Sequence, residues 1–264
     1  MEQIRWIDSH CHPHLIVDAL DGDKLALDEA VKHGIRMLCV SVEIGDYQKL
    51  AEYKKLHPYY VSFSLGQHPL HEYENVDWGK LESLVAADKN IVAVGEIGFD
   101  FNRDLNIQHN SFEAQAHVAL EHNLPIILHT RDSGDGKIEA ATQAAIKNAS
   151  GTYGVFHCFT GSIALAEFAI ENGWYISFSG IITFKNANNL REVAQHLANN
   201  GCLDKILIET DSPYLAPFPM RGKVNCPSYV KYVGEFLADL LEQDRAAFAK
   251  QIEKNYDSLF KARL

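Results

Sequence analysis

Two histidines lie two positions apart near the start of the chain, in the stretch RWIDSHCHPH at residues 5–14. Successive side chains of a β-strand point to opposite faces, so His10 and His12 would project from one face and could bind one ion together. The chain has 13 histidines in 264 residues, and random placement alone would give roughly 0.6 such pairs. The pair alone is therefore weak evidence for a metal site. It becomes strong evidence only if the fold brings other ligands close to it.

Short apolar runs rich in β-branched and aromatic residues recur along the chain. We predict eight strands, over residues 4–8, 35–42, 59–66, 91–98, 124–130, 153–159, 174–180 and 205–211. Segments with helical spacing separate them, for example residues 23–34, 110–123 and 162–173. This alternation predicts an α/β fold, a (β/α)8 TIM barrel. A doubly wound open sheet is the alternative, but no GxGxxG sequence follows the first strand.

The composition fits one large domain, and we expect a single barrel over residues 1–264. Five widely spaced cysteines without a CxxC pair indicate reduced thiols. No signal peptide or membrane-spanning run is evident, so we expect a cytoplasmic protein with no membrane partner. The formal net charge of -11 argues against a protein that coats long nucleic acids through a broad basic face.

Ionisable side chains fall repeatedly at the carboxyl ends of the predicted strands, which a parallel barrel would bring to one mouth. They are Asp8, His10, His12, His68, Glu96, His129, His157, Glu209 and Asp211. Each has an ordinary explanation alone, such as a hydrogen-bonded core histidine or an aspartate that caps the turn before Pro213. All of those explanations would have to hold at once, and a metal site is the simpler interpretation.

Four of these histidines and two carboxylates form the predicted ligand set. The set consists of His10, His12, Glu96, His129, His157 and Asp211. Mixed imidazole and carboxylate ligands suit Zn²⁺ or Mn²⁺, and Mg²⁺ less naturally. Six ligands exceed the needs of one tetrahedral ion. We therefore predict two divalent ions bridged by a carboxylate, an arrangement that suits hydrolysis by in-line displacement.

A proline-rich segment follows the last predicted strand. Residues 212–228 contain four of the eight prolines and show no helical period. A loop of this length in a compact domain is more often functional than merely connecting. We predict that it lies at the active-site face of the barrel, as a lid or a binding loop.

Five sequence motifs occur in order from residue 7 to about 227. They are IDSHCH, GEIGFDF, LHTRD, HCFTG and IETDSPYLAP followed by RGKVN. Together they resemble the TatD family of metal-dependent deoxyribonucleases. The resemblance implies a (β/α)8 barrel with a two-metal centre that hydrolyses phosphodiester bonds in DNA, often from a 3′ end.

Matched motif by motif, the resemblance also implies which residues hold each ion. His10 and His12 would hold the first metal together with Asp211. Glu96 would bridge both ions. The second metal would be completed by His129 and His157.

Chemistry assigns further roles around this centre. The predicted catalytic residues are the bridging Glu96 and Asp211, which would orient the attacking water or take its proton. In the family picture His68 would contact the phosphate. Arg131 and either Arg221 or Lys223 are candidates to receive phosphate oxygens, and solvated surface charge is the competing interpretation.

Two other classes of protein compete with the nuclease. A metal-dependent amidohydrolase or lactonase would use the same barrel, but many such enzymes bridge their metals through a modified lysine where this chain has Glu96. A non-catalytic barrel would be expected to lack a ligand, and none is missing. The net charge of -11 argues against a nuclease that binds duplex DNA, and we reconcile the two by supposing that only DNA strand ends enter the pocket, where two ions would add four positive charges. No obligate protein partner is predicted, and the native metal and the choice between DNA, RNA and small phosphoesters stay open.

Overall fold

The computed structural model describes residues 4–16, 22–71 and 76–261. Its strands are β1 (Ile7–Cys11), β2 (Arg36–Cys39), β3 (Val61–Leu65), β4 (Ile91–Asp100), β5 (Ile126–Arg131), β6 (Gly154–Phe156), β7 (Tyr175–Phe178) and β8 (Ile206–Ile208). They form one sheet in chain order, and every neighbouring pair is parallel. The predicted α/β class and (β/α)8 TIM barrel are confirmed, whereas the extent of a single domain over 1–264 stays a prediction.

Helices connect and surround the strands. They are α1 (Gly22–Lys32), α2 (Tyr47–Leu56), α3 (Trp78–Ala87), α4 (Leu105–Glu121), α5 (Lys137–Asn148), α6 (Ile163–Glu171), α7 (Asn188–Asn199), α8 (Val230–Leu240) and α9 (Arg245–Leu259). Side-chain oxygens of Asp77, Asp104 and Ser162 accept from backbone amides and fix where α3, α4 and α6 begin. None of the helices in the described ranges is long and apolar enough to cross a bilayer.

Two apolar layers hold the barrel together. The larger layer lies between the strands and the surrounding helices and includes Trp174, Phe63 and Phe112. The smaller one fills the barrel interior with strand residues such as Ile127, and α9 adds Tyr256 to it. The interior is therefore a packed core, and the predicted ligands lie beyond it, where the strands end.

The strand ends differ from the predicted ones by one to three positions, and two of the shortened strands bear on the site. Strands were predicted to run to residues 159 and 211, but β6 ends at Phe156 and β8 at Ile208. Soon after those ends the backbone has positive φ, 42° at Cys158 and 55° at Asp211, which is incompatible with an extended strand. His157 and Asp211 are consequently presented by irregular segments, and residues 212–226 continue without a helix or strand.

The longest strand carries residues that the site uses. β4 spans ten buried residues and extends two positions beyond the predicted end, to Asp100. Gly98 lies opposite His129 in the register between β4 and β5. A Cβ atom at Gly98 would overlap the carbonyl oxygen of His129, and the φ of +144° also favours glycine. Glycine at this position lets β5 approach β4 closely beside Glu96.

Hydrogen bonds close the barrel between β1 and the segment after β8. The buried Asp8 carboxylate accepts from the Thr210 amide at 2.8 Å and from Thr210 Oγ1 at 2.5 Å. The amide of Asp211 donates to His10 O at 3.0 Å, and that of His12 donates to Ser212 O at 2.7 Å. Burial raises the pKa of Asp8 well above its usual range, although the hydrogen bonds from Thr210 oppose that rise. This seam sets His10 beside Asp211.

Thr210→Val tests the contribution of the seam to stability. The substitution keeps the shape of the side chain but removes one donor from the buried Asp8 carboxylate. We expect the free energy of unfolding of the metal-free protein in urea to fall by about 1–3 kcal/mol. Thr160→Val, at an exposed position, is the control and should change it by no more than about 0.5 kcal/mol. Equal effects of the two substitutions would contradict a structural role for the seam.

Candidate metal centre

All six predicted ligands meet at the carboxyl end of the barrel. They are His10, His12, Glu96, His129, His157 and Asp211, and their side chains are between 0 and 14% exposed. β1, β4 and β5 contain His10, Glu96 and His129. The segments that follow β1, β6 and β8 supply the other three. The structure therefore brings together residues as far apart in the chain as His10 and Asp211, which are 201 positions apart.

Glu96 divides the cluster into two groups of potential ligands. In the first group, Glu96 Oε2 lies 3.3 Å from His10 Nε2 and 3.5 Å from His12 Nε2. The two nitrogen atoms are 2.9 Å apart, and Asp211 Oδ1 lies 3.7 and 3.6 Å from them. Two imidazole nitrogens and two carboxylate oxygens thus face a common point. This donor set suits Zn²⁺ or Mn²⁺.

The second group faces the other oxygen of the same carboxylate. Glu96 Oε1 lies 2.6 Å from His129 Nδ1 and 2.6 Å from His157 Nε2. Those two nitrogen atoms are 3.4 Å apart. Because Oε1 and Oε2 face different groups, Glu96 has the geometry of a carboxylate that bridges two ions. The residues present therefore fit two metal ions.

Hydrogen bonds on the far side of the rings fix which nitrogen is available to an ion. His12 Nδ1 donates to the carbonyl oxygen of Val40 at 2.7 Å, which leaves a lone pair on Nε2. His129 Nε2 lies 3.0 Å from Asp100 Oδ2, which leaves Nδ1 for the centre. Carboxylate and carbonyl partners of this kind orient metal-binding histidines and raise their basicity.

His68 differs from the predicted ligands because the ring nitrogen that faces the site carries a proton and offers no lone pair. The amide of Leu70 donates to His68 Nδ1 at 3.0 Å. A neutral ring that accepts at Nδ1 carries its proton on Nε2. Nε2 lies 3.3 Å from Glu96 Oε1. His68 is therefore arranged to donate a hydrogen bond into the site, a property that suits contact with a phosphate oxygen better than binding of an ion.

The charged groups of the site shift one another's pKa values strongly. Burial alone would raise the pKa of Glu96, but the facing imidazoles, including His157 and His68, hold it well below its usual range. The pKa of Asp211 is lowered against the effect of burial, mainly by its hydrogen bond with His12. Burial would lower the pKa of His12, but Asp211 and Glu96 raise it. In the absence of metal the cluster consequently holds protons on imidazole nitrogens that an ion would displace.

A cavity of about 540 Å³ opens above the cluster. Apolar side chains line its wall above the predicted ligands, namely Leu15, Val42, Leu70, Ile181 and Leu215, together with the aromatic ring of Tyr214. Tyr214 is 56% exposed. Its carbonyl oxygen accepts from the Asn225 side chain at 2.5 Å, and its amide donates to Asp211 O at 3.0 Å. An exposed aromatic ring on a fixed backbone therefore stands at the mouth.

The predicted phosphate-binding cations occupy different positions. Arg131 lines the cavity, and its guanidinium group lies 5.4 Å from the centre of the Phe101 ring. Among the described residues that line the cavity, Arg221 and Lys223 do not occur. The Arg221 guanidinium group lies 3.8 Å from the centre of the Phe184 ring. Arg131 is thus placed closest to the site, and the contacts of all three with phosphate stay predictions.

Three residues with contacts at the site received no role from the sequence. Asp100 lies four positions after Glu96 on the same strand, so even spacing could have indicated that both face the site. Glu209 was identified only as a strand-end residue, yet it contacts His157. Tyr214 carried no signal beyond its place in the loop.

The chain is similar to known proteins over nearly its whole length. The family model described as TatD related DNase matches residues 7–261. An uncharacterized metal-dependent hydrolase of Escherichia coli, YcfH, is 35% identical over 264 residues, covering 96% of this chain and 95% of that protein. YabD of Bacillus subtilis, also an uncharacterized metal-dependent hydrolase, is 38% identical over 209 residues, covering 76% and 78%. The crystal structure of YJJV, a TatD homolog from Escherichia coli, has a TM-score of 0.85 at 26% identity and covers 98% of both chains.

Metal binding should weaken as the pH falls. The pKa values of His12, His129 and His157 are raised by the facing carboxylates, so these rings are protonated below their raised pKa and each ion must displace protons. We expect the affinity of metal-stripped protein for Mn²⁺ to fall about tenfold per unit as the pH is lowered from about 8 to about 6. Titration calorimetry in two buffers with different ionisation enthalpies measures both the affinity and the released protons.

His12→Ala and His33→Ala provide the matched comparison for that titration. His33 is a surface histidine paired with Glu29 on α1. The His33 variant should retain the wild-type pH dependence, whereas the His12 variant should lose affinity at every pH. Binding of Mn²⁺ that is independent of pH and releases no protons would contradict the proton-holding cluster.

Proposed function

The chain belongs to the TatD related DNase family and is a metal-dependent hydrolase, and on that premise we propose that it removes nucleotides from the 3′ ends of DNA at a two-metal centre. The observation that carries the proposal is the position of Glu96. Its two carboxylate oxygens face two separate groups of ligand atoms. Bridged ion pairs of this kind, about 3.5–4 Å apart, recur in enzymes that cleave phosphodiesters by in-line displacement.

We assign the roles of the residues from the way each one faces the cavity. When bound, two divalent ions supply a water of lowered pKa and neutralise charge on the phosphoryl oxygens. Asp211 is partly exposed to the cavity, and its lowered pKa keeps it ionised at neutral pH. Its carboxylate can therefore orient the attacking water and accept its proton. His68 donates a hydrogen bond from Nε2 to a phosphate oxygen, and the Arg131 guanidinium group at the cavity wall donates to another.

The shape of the cavity favours a strand end over a duplex. A space of about 540 Å³ lies within the range typical of pockets for small ligands. An apolar wall above charged ligands suits a planar nucleobase attached to a phosphate. Tyr214 adds an exposed ring at the mouth, and aromatic rings of this kind are common supports for unpaired bases. The substrate partner that we propose is thus a DNA strand end.

An amidohydrolase or lactonase acting on a small molecule is the alternative activity. It would share the barrel and a cluster of metal ligands. Many such enzymes use a modified lysine as the bridge, whereas Glu96 occupies the bridging position here. A carboxylate bridge and a wall arginine both favour phosphoester chemistry. A non-catalytic barrel is disfavoured, because all six ligands are present and their donor atoms converge.

The direct test is cleavage of a 3′-labelled single-stranded DNA oligonucleotide. Metal-stripped protein should be inactive and should regain activity with Mn²⁺, Zn²⁺ or Mg²⁺. Glu96→Ala should lower the metal-restored rate at least about a hundredfold, because it removes the only side chain that faces both ligand groups among the described residues. Glu113→Ala, at an exposed position on α4, should retain the wild-type rate.

Parallel assays decide between the activities. Duplex DNA, RNA and panels of amides, esters and lactones should be turned over more slowly than single-stranded DNA. Metal-dependent turnover of a lactone or amide, with no cleavage of DNA, would replace the nuclease by the alternative. Release of nucleotides from the 5′ end would overturn the proposed polarity and leave the two-metal phosphodiesterase standing.

Tyr214→Ala tests the proposed base-binding role of the aromatic ring. Loss of one stacked base costs about 1–3 kcal/mol, so the KM for single-stranded DNA should rise about 5- to 160-fold with little change in kcat. Tyr214→Phe keeps the ring and should behave like the wild type. Tyr59→Ala is the matched control, since Tyr59 is 89% exposed just before β3, at the opposite end of the barrel. An unchanged KM in Tyr214→Ala would exclude the ring from DNA binding.

A further inference from the structure

Glu209 is a fully buried carboxylate behind the candidate metal centre. It follows β8 and is 0% exposed. Its Oε1 accepts from the amide of Cys158 at 2.7 Å and lies 3.3 Å from His157 Nδ1. A buried carboxylate requires cationic or donor partners, because an isolated charge is strongly unfavourable in the interior. His157 is its clearest side-chain partner.

The second oxygen of Glu209 makes no hydrogen bond to the described residues. Among the residues that the structure describes, neither Glu209 Oε2 nor His10 Nδ1 has a hydrogen-bond partner, although both atoms are buried. One carboxylate oxygen of Glu209 and one ring nitrogen each of His10 and His157 lie within 4.8 Å of one another. The two rings are stacked, with their centres 3.9 Å apart and an interplanar angle of 14°.

The two stacked histidines need the same tautomer in order to bind metal. His10 and His157 each direct Nε2 at Glu96, His10 at Oε2 and His157 at Oε1. A ring that offers a lone pair at Nε2 must carry its proton on Nδ1. A negative charge behind the stacked rings favours that tautomer in both and increases the basicity of both Nε2 atoms. The same carboxylate therefore acts on one ligand of each centre.

We propose that Glu209 is a positioning residue shared by both metal centres, which selects the metal-binding tautomer of His10 and of His157. The inference rests on the proposed two-metal function. It differs from the role of Asp100, whose Oδ2 contacts His129, a ligand of the second group only. The two carboxylates should therefore have separable effects on the two ions.

Titration of metal-stripped full-length chain with Mn²⁺ and with Zn²⁺ separates these effects. Glu209→Gln keeps an oxygen for the Cys158 amide but removes the charge, and it should weaken the binding of both ions by about 10- to 100-fold. Asp100→Asn should weaken only one of the two binding events. Asp23→Asn is the matched control, because that carboxylate pairs with Tyr53 and Lys49 in the outer layer, and it should leave both affinities unchanged.

The stability of the metal-free variants distinguishes weaker metal binding from a general loss of structure. The melting temperature of metal-free Glu209→Gln should stay close to that of the wild type, while the increase that metal produces should shrink. If that variant does not fold, Glu209→Asp takes its place, since it withdraws the charge from the rings by one methylene group and should weaken both sites to a smaller extent.

The outcomes distinguish this inference from the proposed function. Two ions bound by the wild type, with both affinities reduced in a folded Glu209 variant, support the shared role. Wild-type affinities at both sites in a folded variant overturn it, and so does a loss confined to one site, as in Asp100→Asn. A wild-type chain that binds only one ion overturns the two-metal function itself, together with any sharing between centres.

Discussion

A carboxylate buried among imidazole rings is the constraint on which the rest of the structure depends. Glu96 is 2% exposed, and a charge at that depth is unfavourable unless cations or donors surround it. Its oxygens face histidine nitrogens from β1, from β5 and from the segment after β6. A parallel barrel meets this requirement because it brings the carboxyl ends of distant strands to one point. The fold and the chemistry are therefore joined at this residue.

The position of the ligands is set largely by backbone hydrogen bonds. Asp8 is not one of the predicted ligands, yet its carboxylate accepts from the amides of His10 and Thr210. The amide of Asp211 in turn donates to the carbonyl oxygen of His10. The first and last ligands of the chain are thus held together by the seam of the barrel. A site built on such a scaffold is organised before any ion arrives, which favours both affinity and catalysis.

The sequence predicts the barrel and the ligand cluster because both depend on local signals. Apolar runs locate the strands, and the parallel arrangement implies that the residues following them meet. The bounds of β6 and β8 were overestimated, since the positive φ at Cys158 and Asp211 arises from tertiary contacts that no local pattern reveals. The two carboxylates behind the rings differ in how far the sequence could have predicted their contacts. Asp100 lies on the same strand as Glu96 at an even spacing, which a local pattern can reveal. Glu209 and His157 are 52 positions apart and follow different strands, so no local pattern connects them.

The net charge of -11 gains a different meaning once the acidic residues are located. Five carboxylates lie within or directly behind the candidate centre, those of Asp8, Glu96, Asp100, Glu209 and Asp211. The formal count treats the histidines beside them as neutral and includes no ions. Under the proposed function, two divalent ions would add four positive charges beside these acidic groups, and the chain as a whole would stay negative. The proposed enzyme would then repel the length of a polyanion and attract a phosphate at its end, so exclusion would contribute to substrate choice alongside attraction.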